Sequence, residues 1–252
     1  MKTIGVLIDF DNIFPKAINL YTVDNITCVL QKILDVVKVN IIDAEIIRIR
    51  LYGGWYMNTT PTQRASVVSS MLTSLNNSLF PIISSPYKRL LGSVDLAIQL
   101  YGQSYIWYNT FRERAGIPKL RIDHNAVGDK CDDDPETCPV KILKWFTEKK
   151  SRICKRPDCN TAHNSVFFER TQKYVDTMLA CDIISMSMDS DIESVYVVSD
   201  DVDHFPAFAV SYHHPNAAAS LRLIISNDYN EALYNSILTP FGVDIKCIEV
   251  NI

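Results

Sequence analysis

Three short acidic segments, far apart along the chain, hold the residues best suited to chemistry. They read Ile-Asp-Phe-Asp-Asn at 8–12, Tyr-Val-Asp at 174–176 and Ser-Asp-Asp-Val-Asp-His-Phe at 199–205. The first and third directly follow apolar, β-branched runs of the kind that form buried strands. Ligands of open α/β sheets bind outside the carboxyl ends of the strands, so we expect these carboxylates to meet in space. A divalent cation would relieve their mutual repulsion, and the sequence therefore predicts a metal-dependent active site.

Alternating strand and helix patterns predict the framework that positions these segments. The predicted strands are 3–9, 45–52, 94–101, 119–123, 194–199, 221–226 and 244–250. The predicted helices are 15–38, 61–76, 105–115, 174–188, 205–213 and 229–238. This alternation predicts an α/β fold with a mostly parallel central sheet flanked by helices.

Length and composition indicate one main domain spanning 1–252. A chain of 252 residues with 47% hydrophobic residues can bury one sizeable core. The formal net charge of −4 excludes a uniformly basic nucleic-acid binder, although a local basic track remains compatible with it. The chain shows neither a signal-peptide pattern nor the roughly 20 apolar residues that a membrane span needs. We therefore expect a cytoplasmic protein without a membrane partner, and the sequence gives no indication of its oligomeric state.

The three acidic segments resemble the motifs of the NYN branch of the PIN-like nuclease family. The matching residues are Asp9 and Asn12, then Lys-Tyr-Val-Asp-Thr-Met-Leu-Ala-Cys-Asp at 173–182, then the 199–205 segment. The resemblance covers 1–60 and 166–252 in the family's order and implies a PIN-like, Rossmannoid fold. Two departures stand in the last motif: Asp200 replaces the usual glycine, and His204 is inserted before the phenylalanine.

This resemblance implies a divalent-metal-dependent endoribonuclease that hydrolyses RNA phosphodiester bonds, with Mg²⁺ or Mn²⁺ as the catalytic cofactor. Carboxylate oxygens suit these cations, which keep several waters and bridge to phosphate. The expected metal ligands are Asp9, Asp176 and Asp201. Asp203 would bind metal or position water, and Asn12 would orient a ligand or the phosphate.

Two other functions fit some of the same residues. Asp9-Phe10-Asp11 also resembles the opening motif of haloacid-dehalogenase-like phosphatases, in which Asp9 would be the nucleophile and Asp11 the general acid. That motif continues with a small residue and then threonine or valine, whereas Asn12 and Ile13 follow here. The second alternative is a non-catalytic RNA- or protein-binding module on the same fold. Asp182 is turned about 240° around the helix from Asp176, so we expect it to support a ligand or to be structural.

A cysteine-rich segment, 125–165, interrupts the alternation and is expected to be an insertion. The candidate zinc ligands in it are Cys131, Cys138, Cys154, Cys159 and His163. Tetrahedral zinc takes four such ligands and can hold together a segment that is too small for its own core. Four of the five would bind a structural zinc ion; the alternative is a set of metal-free thiols in a reducing compartment.

The same segment carries a basic run. The candidate nucleic-acid contacts are Lys144, Lys149, Lys150, Arg152, Lys155 and Arg156, with Trp145 and Phe146 interleaved. Basic residues with aromatic neighbours suit contacts to an RNA backbone and stacking on its bases. The alternative interpretation is the solvated face of a helix with Trp145 as its anchor.

Overall fold

The computed structural model describes residues 1–14, 17–85, 88–116 and 136–250. The chain divides into two compact units: unit 1 comprises Met1–Thr110 and Gln172–Ile252, and unit 2 comprises Phe111–Thr171. Unit 2 therefore begins before, and ends after, the insertion expected at 125–165.

Strands and helices alternate along the described chain. The strands are β1 Lys2–Asp9, β2 Ala44–Tyr52, β3 Tyr56–Met57, β4 Thr60–Pro61, β5 Ile82–Ser85, β6 Lys88–Leu96, β7 Phe111–Ala115, β8 Phe168–Gln172, β9 Ile192–Val198, β10 Ser220–Ile225 and β11 Asp244–Cys247. The helices are α1 Phe10–Ile13, α2 Val23–Lys38, α3 Gln63–Leu79, α4 Pro139–Glu148, α5 His163–Val166, α6 Val175–Ser187, α7 Phe205–His213 and α8 Glu231–Leu238. Within the described residues, no helix has the length and apolar character that a membrane crossing requires.

Unit 1 is built on a seven-stranded sheet with the order β11–β10–β9–β1–β2–β6–β5. Neighbouring strands are parallel except at one edge, where β5 runs antiparallel to β6. The chain builds outward from β1 through β2 and β6, then returns to the other side of β1 and builds outward through β9, β10 and β11. The strand order thus reverses between β1 and β9. These observations confirm the predicted α/β fold with a mostly parallel central sheet.

Helices cover both faces of this sheet, because successive strand residues point to opposite sides. On β1, Ile4, Val6 and Ile8 are buried in a core shared with α2 and α3. Leu7 belongs to a second core, which includes residues of α6, α7 and α8. The three layers hold the ends of β1 and β9 between two packed cores.

Threonine caps fix where the two helices on the first face begin. Thr22 accepts a hydrogen bond from the Asn25 backbone N–H (3.1 Å), and Thr62 accepts one from that of Ala65 (3.2 Å). Such caps satisfy backbone donors that a helix start leaves unpaired. Helix α2 therefore begins at Val23 rather than at residue 15 as predicted, and a short 3₁₀ turn occupies Ile18–Leu20.

Two further predicted elements differ in the structure, and a third lies outside the described residues. The predicted helix 105–115 is wrong, because Phe111–Ala115 is strand β7, which pairs with β8. The predicted strand 94–101 is shifted, since β6 covers Lys88–Leu96. The predicted strand 119–123 lies outside the described residues.

Unit 2 holds α4 and α5 around a small aromatic cluster. Phe146 and His163 lie 5.9 Å apart between ring centroids, and His163 and Phe167 lie 5.2 Å apart. A bridge pairs Ile153 with Ala162 between the two helices. In unit 1, the Lys173 N–H donates a hydrogen bond to the Thr110 carbonyl (2.9 Å), which joins the points where the chain leaves and rejoins this unit.

Candidate active site at the carboxyl edge of the sheet

The fold brings the acidic segments to one edge of the sheet. Strand β1 ends at Asp9, and its neighbour β9 ends at Val198, which is in register with Ile8. The acidic turn at 199–203 therefore begins beside Asp9, at the point where the strand order reverses. Helix α6 packs on β1 and β9 and carries Asp176 in its first turn. Ligands of open α/β sheets bind in this crevice.

Ser199 links the first and third acidic segments. This fully buried residue donates its hydroxyl to Asp9 Oδ2 (3.2 Å) and accepts a hydrogen bond from the Asp201 N–H (3.0 Å). The Asp203 N–H donates to Asp201 Oδ1 (3.0 Å), which closes the turn. Ser199 is not among the predicted site residues, although its place directly after a buried strand and before two aspartates is a signal in the sequence.

Asp9 is a buried carboxyl group beside other carboxylates. Only 8% of the residue is exposed, and burial is the main cause that raises its pKa to about 6. The negative charges of Asp176 and Asp201 raise this pKa further, while the Ser199 hydroxyl and the Asn12 backbone lower it. Among the described residues, no cationic side chain contributes to this pKa.

Asp176 is coupled to the same cluster. The residue is exposed, yet partial desolvation and the charges of Asp201 and Asp203 raise its pKa above the ordinary value. The residue before α6, Tyr174, has a φ of 68°, a left-handed conformation that is uncommon outside glycine. Among the described residues, no lysine or arginine forms an ion pair with these carboxylates.

The acidic side chains of Asp9, Asp176, Asp201 and Asp203 are the candidate ligands of a divalent cation. In the described part of the chain, no group of three or more His, Cys, Asp or Glu side chains is placed so that it could hold a metal ion. Mg²⁺ commonly uses only one or two carboxylates, together with waters and substrate phosphate. Asp9, Asp176 and Asp201 are hard oxygen donors whose negative charges raise the pKa values of Asp9 and Asp176, so the chemistry of this donor set suits one or two contacts to Mg²⁺.

Asn12 and Asp203 lie at the exposed rim of the cluster. Asn12 belongs to the short helix α1, which begins directly after Asp9. Its backbone acts on the Asp9 carboxylate, while the residue itself is exposed to solvent. Asp203 is also exposed, and its charge acts on Asp176. Both residues are therefore accessible to a molecule bound at this edge.

Asp11 is engaged elsewhere. Its carboxylate forms an ion pair with Arg64 of α3 and accepts a weak hydrogen bond from the Gly54 N–H (3.4 Å). A general acid must carry a proton to its leaving group, whereas Asp11 acts here as the anionic partner of an arginine. This contact speaks against the phosphatase interpretation, in which Asp11 would be the acid.

Asp182 has a structural role. The residue is fully buried, and its carboxylate accepts hydrogen bonds from the Tyr52 hydroxyl (2.5 Å) and the Tyr101 N–H (2.8 Å). Arg50 lies 3.1 Å from the same carboxylate. Asp182 therefore ties α6 to β2 and to the segment after β6, and it leaves Asp176 as the acidic residue of α6 in the cluster.

His204, which the family motif lacks, is buried behind the acidic turn. Only 2% of the residue is exposed, and its ring lies 5.8 Å from that of Phe205 and 6.2 Å from that of Phe208. Burial lowers its pKa to about 4, so the imidazole is neutral at pH 7. Its Nε2 atom has no hydrogen-bond partner among the described residues. His204 packs the start of α7 against the core.

The candidate zinc ligands are only partly described. Cys131 lies outside the described residues, and Cys138 is buried directly before α4. His163 is buried, and neither of its ring nitrogens has a hydrogen-bond partner in the described part of the chain. The structure does not bring three of these ligands together among the described residues, and the zinc site stays a prediction.

Cys154 and Cys159 lie on either side of a tight turn in unit 2. The Cys154 N–H donates to the Thr161 carbonyl (2.9 Å), and the Cys159 sulfur lies within hydrogen-bond distance of the Thr161 hydroxyl (3.3 Å). The hydrogen bonds with Thr161, with a contribution from Cys154, lower the pKa of the Cys159 thiol. These two thiols are the part of the predicted zinc set that the structure places close together.

The basic run forms an exposed strip around Trp145. The charged groups of Arg152 and Lys155 each lie 4.6 Å from the centroid of this ring, and Arg152 also pairs with Glu148 (2.7 Å). Lys144 is half-buried, whereas Lys149, Lys150 and Arg156 are exposed. Trp145 therefore holds two cations by cation–π contacts instead of presenting both ring faces to a base.

Comparison with known proteins gives no relative: no family model matches the chain, and no curated protein or solved structure is similar enough to count as a match.

Proposed function

We propose that this protein is a divalent-metal-dependent endoribonuclease that hydrolyses RNA phosphodiester bonds. One observation carries the proposal: three aspartates from separate elements act on one another at the point where the strand order reverses, and no lysine or arginine of the described residues forms an ion pair with them. Such a cluster is costly in an apoprotein, and cation binding would make it favourable. The resemblance of the same segments to NYN-type nucleases supports the choice of RNA.

Each acidic residue has a role that follows from its position. Asp9, Asp176 and Asp201 would hold Mg²⁺ or Mn²⁺, with Asp9 fixed by the Ser199 hydroxyl. When bound, the cation supplies polarisation of the scissile phosphate and a lowered pKa of an attacking water. Asp203 and Asn12, at the exposed rim, would position that water and the phosphate.

The exposed basic strip of unit 2 supports an RNA substrate. Lys149, Lys150 and Arg156 are exposed, and Arg152 and Lys155 are ordered by the Trp145 ring. Ordered cations lose less side-chain freedom when they bind phosphate, so this arrangement favours contacts to a nucleic-acid backbone. The strip is a second, independent reason to prefer a nucleic acid over a small phosphorylated molecule.

The test is cleavage of labelled RNA and DNA in Mg²⁺, in Mn²⁺ and in a chelator. Wild type is compared with the double variant Asp9→Asn, Asp201→Asn. The matched control is Asp24→Asn with Asp43→Asn, because both of these aspartates are exposed in unit 1 and the charge changes by the same amount. We expect metal-dependent RNA cleavage by wild type and by the control, and a loss of at least about 100-fold in the site variant.

Three other results of this cleavage test would contradict the proposed site or favour a different function. Equal activity in wild type and in the site variant would contradict the proposed site. Tight RNA binding without turnover would favour the non-catalytic module. Release of phosphate from small esters, without RNA cleavage, would favour the phosphatase in spite of the ion pair at Asp11.

A further inference from the structure

Asp200, which stands where the resembling family has glycine, is tied to the end of strand β10. Its Oδ1 accepts a hydrogen bond from the Ser226 N–H (2.7 Å). Its Oδ2 accepts from the Ser226 hydroxyl and from Asn227 Nδ2 (3.2 Å). Ser226 follows β10 directly, so one side chain of the acidic turn is fastened to the neighbouring strand end. A glycine at 200 would remove all three bonds.

The main chain at the same position is held as well. The Asp200 carbonyl accepts a hydrogen bond from the Tyr234 hydroxyl of α8 (2.7 Å), and the Ser199 N–H donates to the Ile224 carbonyl (3.1 Å). Tyr234 is buried, which limits its own movement. The residues on both sides of the turn's first peptide are thus fixed against β10 and α8.

The chain continues from this fixed point directly into the candidate ligands. Asp201 follows Asp200 and bonds through its N–H to Ser199, which in turn bonds to Asp9. The Asp200 side chain therefore bonds toward β10, while Asp201 is linked through Ser199 to Asp9. The two adjacent aspartates have different partners and different tasks.

We infer that Asp200 is a positioning residue that sets the acidic turn for cation binding through Ser226 and Asn227, without itself binding the cation. The inference rests on the metal site of the proposed function. Residues that orient metal ligands typically change metal affinity by about 10- to 100-fold when they are replaced, so the effect is measurable.

The experiment measures the Kd of Mn²⁺ by calorimetric titration, so that it does not depend on cleavage. The variants are Asp200→Ala, Asp200→Asn and the double variant Ser226→Ala, Asn227→Ala. We expect Asp200→Ala and the double variant each to raise the Kd about tenfold. Asp200→Asn loses the bond from Asn227 Nδ2, but it should stay within about threefold of wild type, because its Oδ1 still accepts from the Ser226 N–H and its amide can donate to the Ser226 hydroxyl. Thermal unfolding of each variant checks that it is folded.

The opposite pattern would overturn the inference. If Asp200→Asn weakens Mn²⁺ binding as much as Asp200→Ala while the double variant binds normally, Asp200 acts through its charge. An unchanged Kd in Asp200→Ala, or no Mn²⁺ binding by wild type, also overturns it. If Asp200→Ala does not fold, the double variant decides, because its acidic turn is intact. RNA cleavage is measured on the same samples: Mn²⁺ binding without cleavage contradicts the nuclease function alone, and the Kd values still decide the role of Asp200.

Discussion

At the scale of single residues, the main feature is unbalanced charge at Asp9. The folded protein holds the Asp9 proton up to about pH 6, whereas an unfolded chain releases it near the ordinary value of 3.8. A carboxyl group with a raised pKa stabilises the fold at low pH, and this contribution is lost as the pH rises through 6. In the absence of metal, Asp9 therefore costs stability at neutral pH.

The first prediction concerns Asp9→Asn, which mimics the protonated side chain and keeps an oxygen for the Ser199 hydroxyl. In a chelator at pH 7 the variant should exceed wild type in unfolding free energy by up to about 3 kcal/mol, and the gain should shrink toward pH 4. Denaturant unfolding across this pH range measures it. The exposed Asp24→Asn should differ from wild type by a nearly constant amount, and a pH-independent gain for Asp9→Asn would contradict the prediction.

The second prediction concerns Asp182, whose buried carboxylate pairs with Arg50. Asp182→Ala should lower the unfolding free energy by about 3–5 kcal/mol, because Arg50, Tyr52 and the Tyr101 N–H lose a common acceptor. Thermal or denaturant unfolding measures this loss.

The matched control for Asp182 is the surface pair of Asp35 and Lys38 on α2 (3.0 Å). Asp35→Ala should cost no more than about 0.5 kcal/mol, because exposed pairs are screened by water. Similar losses for the two variants would show that the buried network does not hold α6 to the sheet.

At the scale of elements, the sequence predicts best where periodicity is local. Helix 205–213 is found at the predicted bounds, and β1 and β9 differ from prediction by one or two residues. Strand β7 was mistaken for a helix, because its Phe-Arg-Glu-Arg-Ala lacks alternation and its strand state depends on pairing with distant β8. The antiparallel edge strand β5 is absent from the predicted strands, because its short Ile-Ile-Ser-Ser run does not alternate, although its partner β6 is adjacent in sequence.

In the candidate site too, local sequence patterns predict some features, whereas features that depend on residues distant in sequence are not predicted. Strand ends rich in aspartate predict which residues gather at the sheet edge. The partners that fix them, Ser226 for Asp200 and Arg64 for Asp11, lie far away in sequence, and no local pattern reveals them. The burial of His204 likewise depends on how α7 packs.

The third prediction compares two glycines in the sheet. A Cβ added at Gly92 of β6 would lie 2.7 Å from the Ile47 carbonyl oxygen and against the Phe80 ring. A Cβ at Gly5 of β1 would meet only the flexible end of the Met186 side chain. Gly92→Ala should therefore lower the unfolding free energy by about 1–3 kcal/mol, and Gly5→Ala by clearly less. Equal losses, measured by denaturant unfolding, would contradict this reading of the packing.

At the scale of the whole molecule, charge is unevenly distributed. The chain has a formal net charge of −4, yet its 139–156 stretch holds seven lysines and arginines against one glutamate. A local basic surface on an acidic protein directs a polyanion to one region while the rest of the surface repels it. The contribution of this basic stretch to RNA binding can be measured directly by reversing its charges.

The fourth prediction concerns the triple charge reversal Lys149→Glu, Lys150→Glu, Arg152→Glu. It should weaken RNA binding and make the dependence of log K on log salt shallower by about 2, since each lost single-strand phosphate contact accounts for about 0.7. Filter binding at several salt concentrations measures both. The matched control reverses Lys32, Lys38 and Lys246 of unit 1, and an equal loss in that control would indicate an effect of net charge alone.

The hydrogen bond between Lys173 and Thr110 places the two ends of unit 2 at neighbouring points of unit 1, so unit 2 is a contiguous insertion in the chain. Because the chain leaves and rejoins unit 1 at neighbouring points, the whole 111–171 segment can be gained, lost or exchanged in one genetic event. No strand of the seven-stranded sheet changes its order when that happens, and the carboxylates of Asp9, Asp176 and Asp201 keep their framework. The acidic edge and the basic strip belong to different units, so a change of sequence in one unit can leave the residues of the other unchanged.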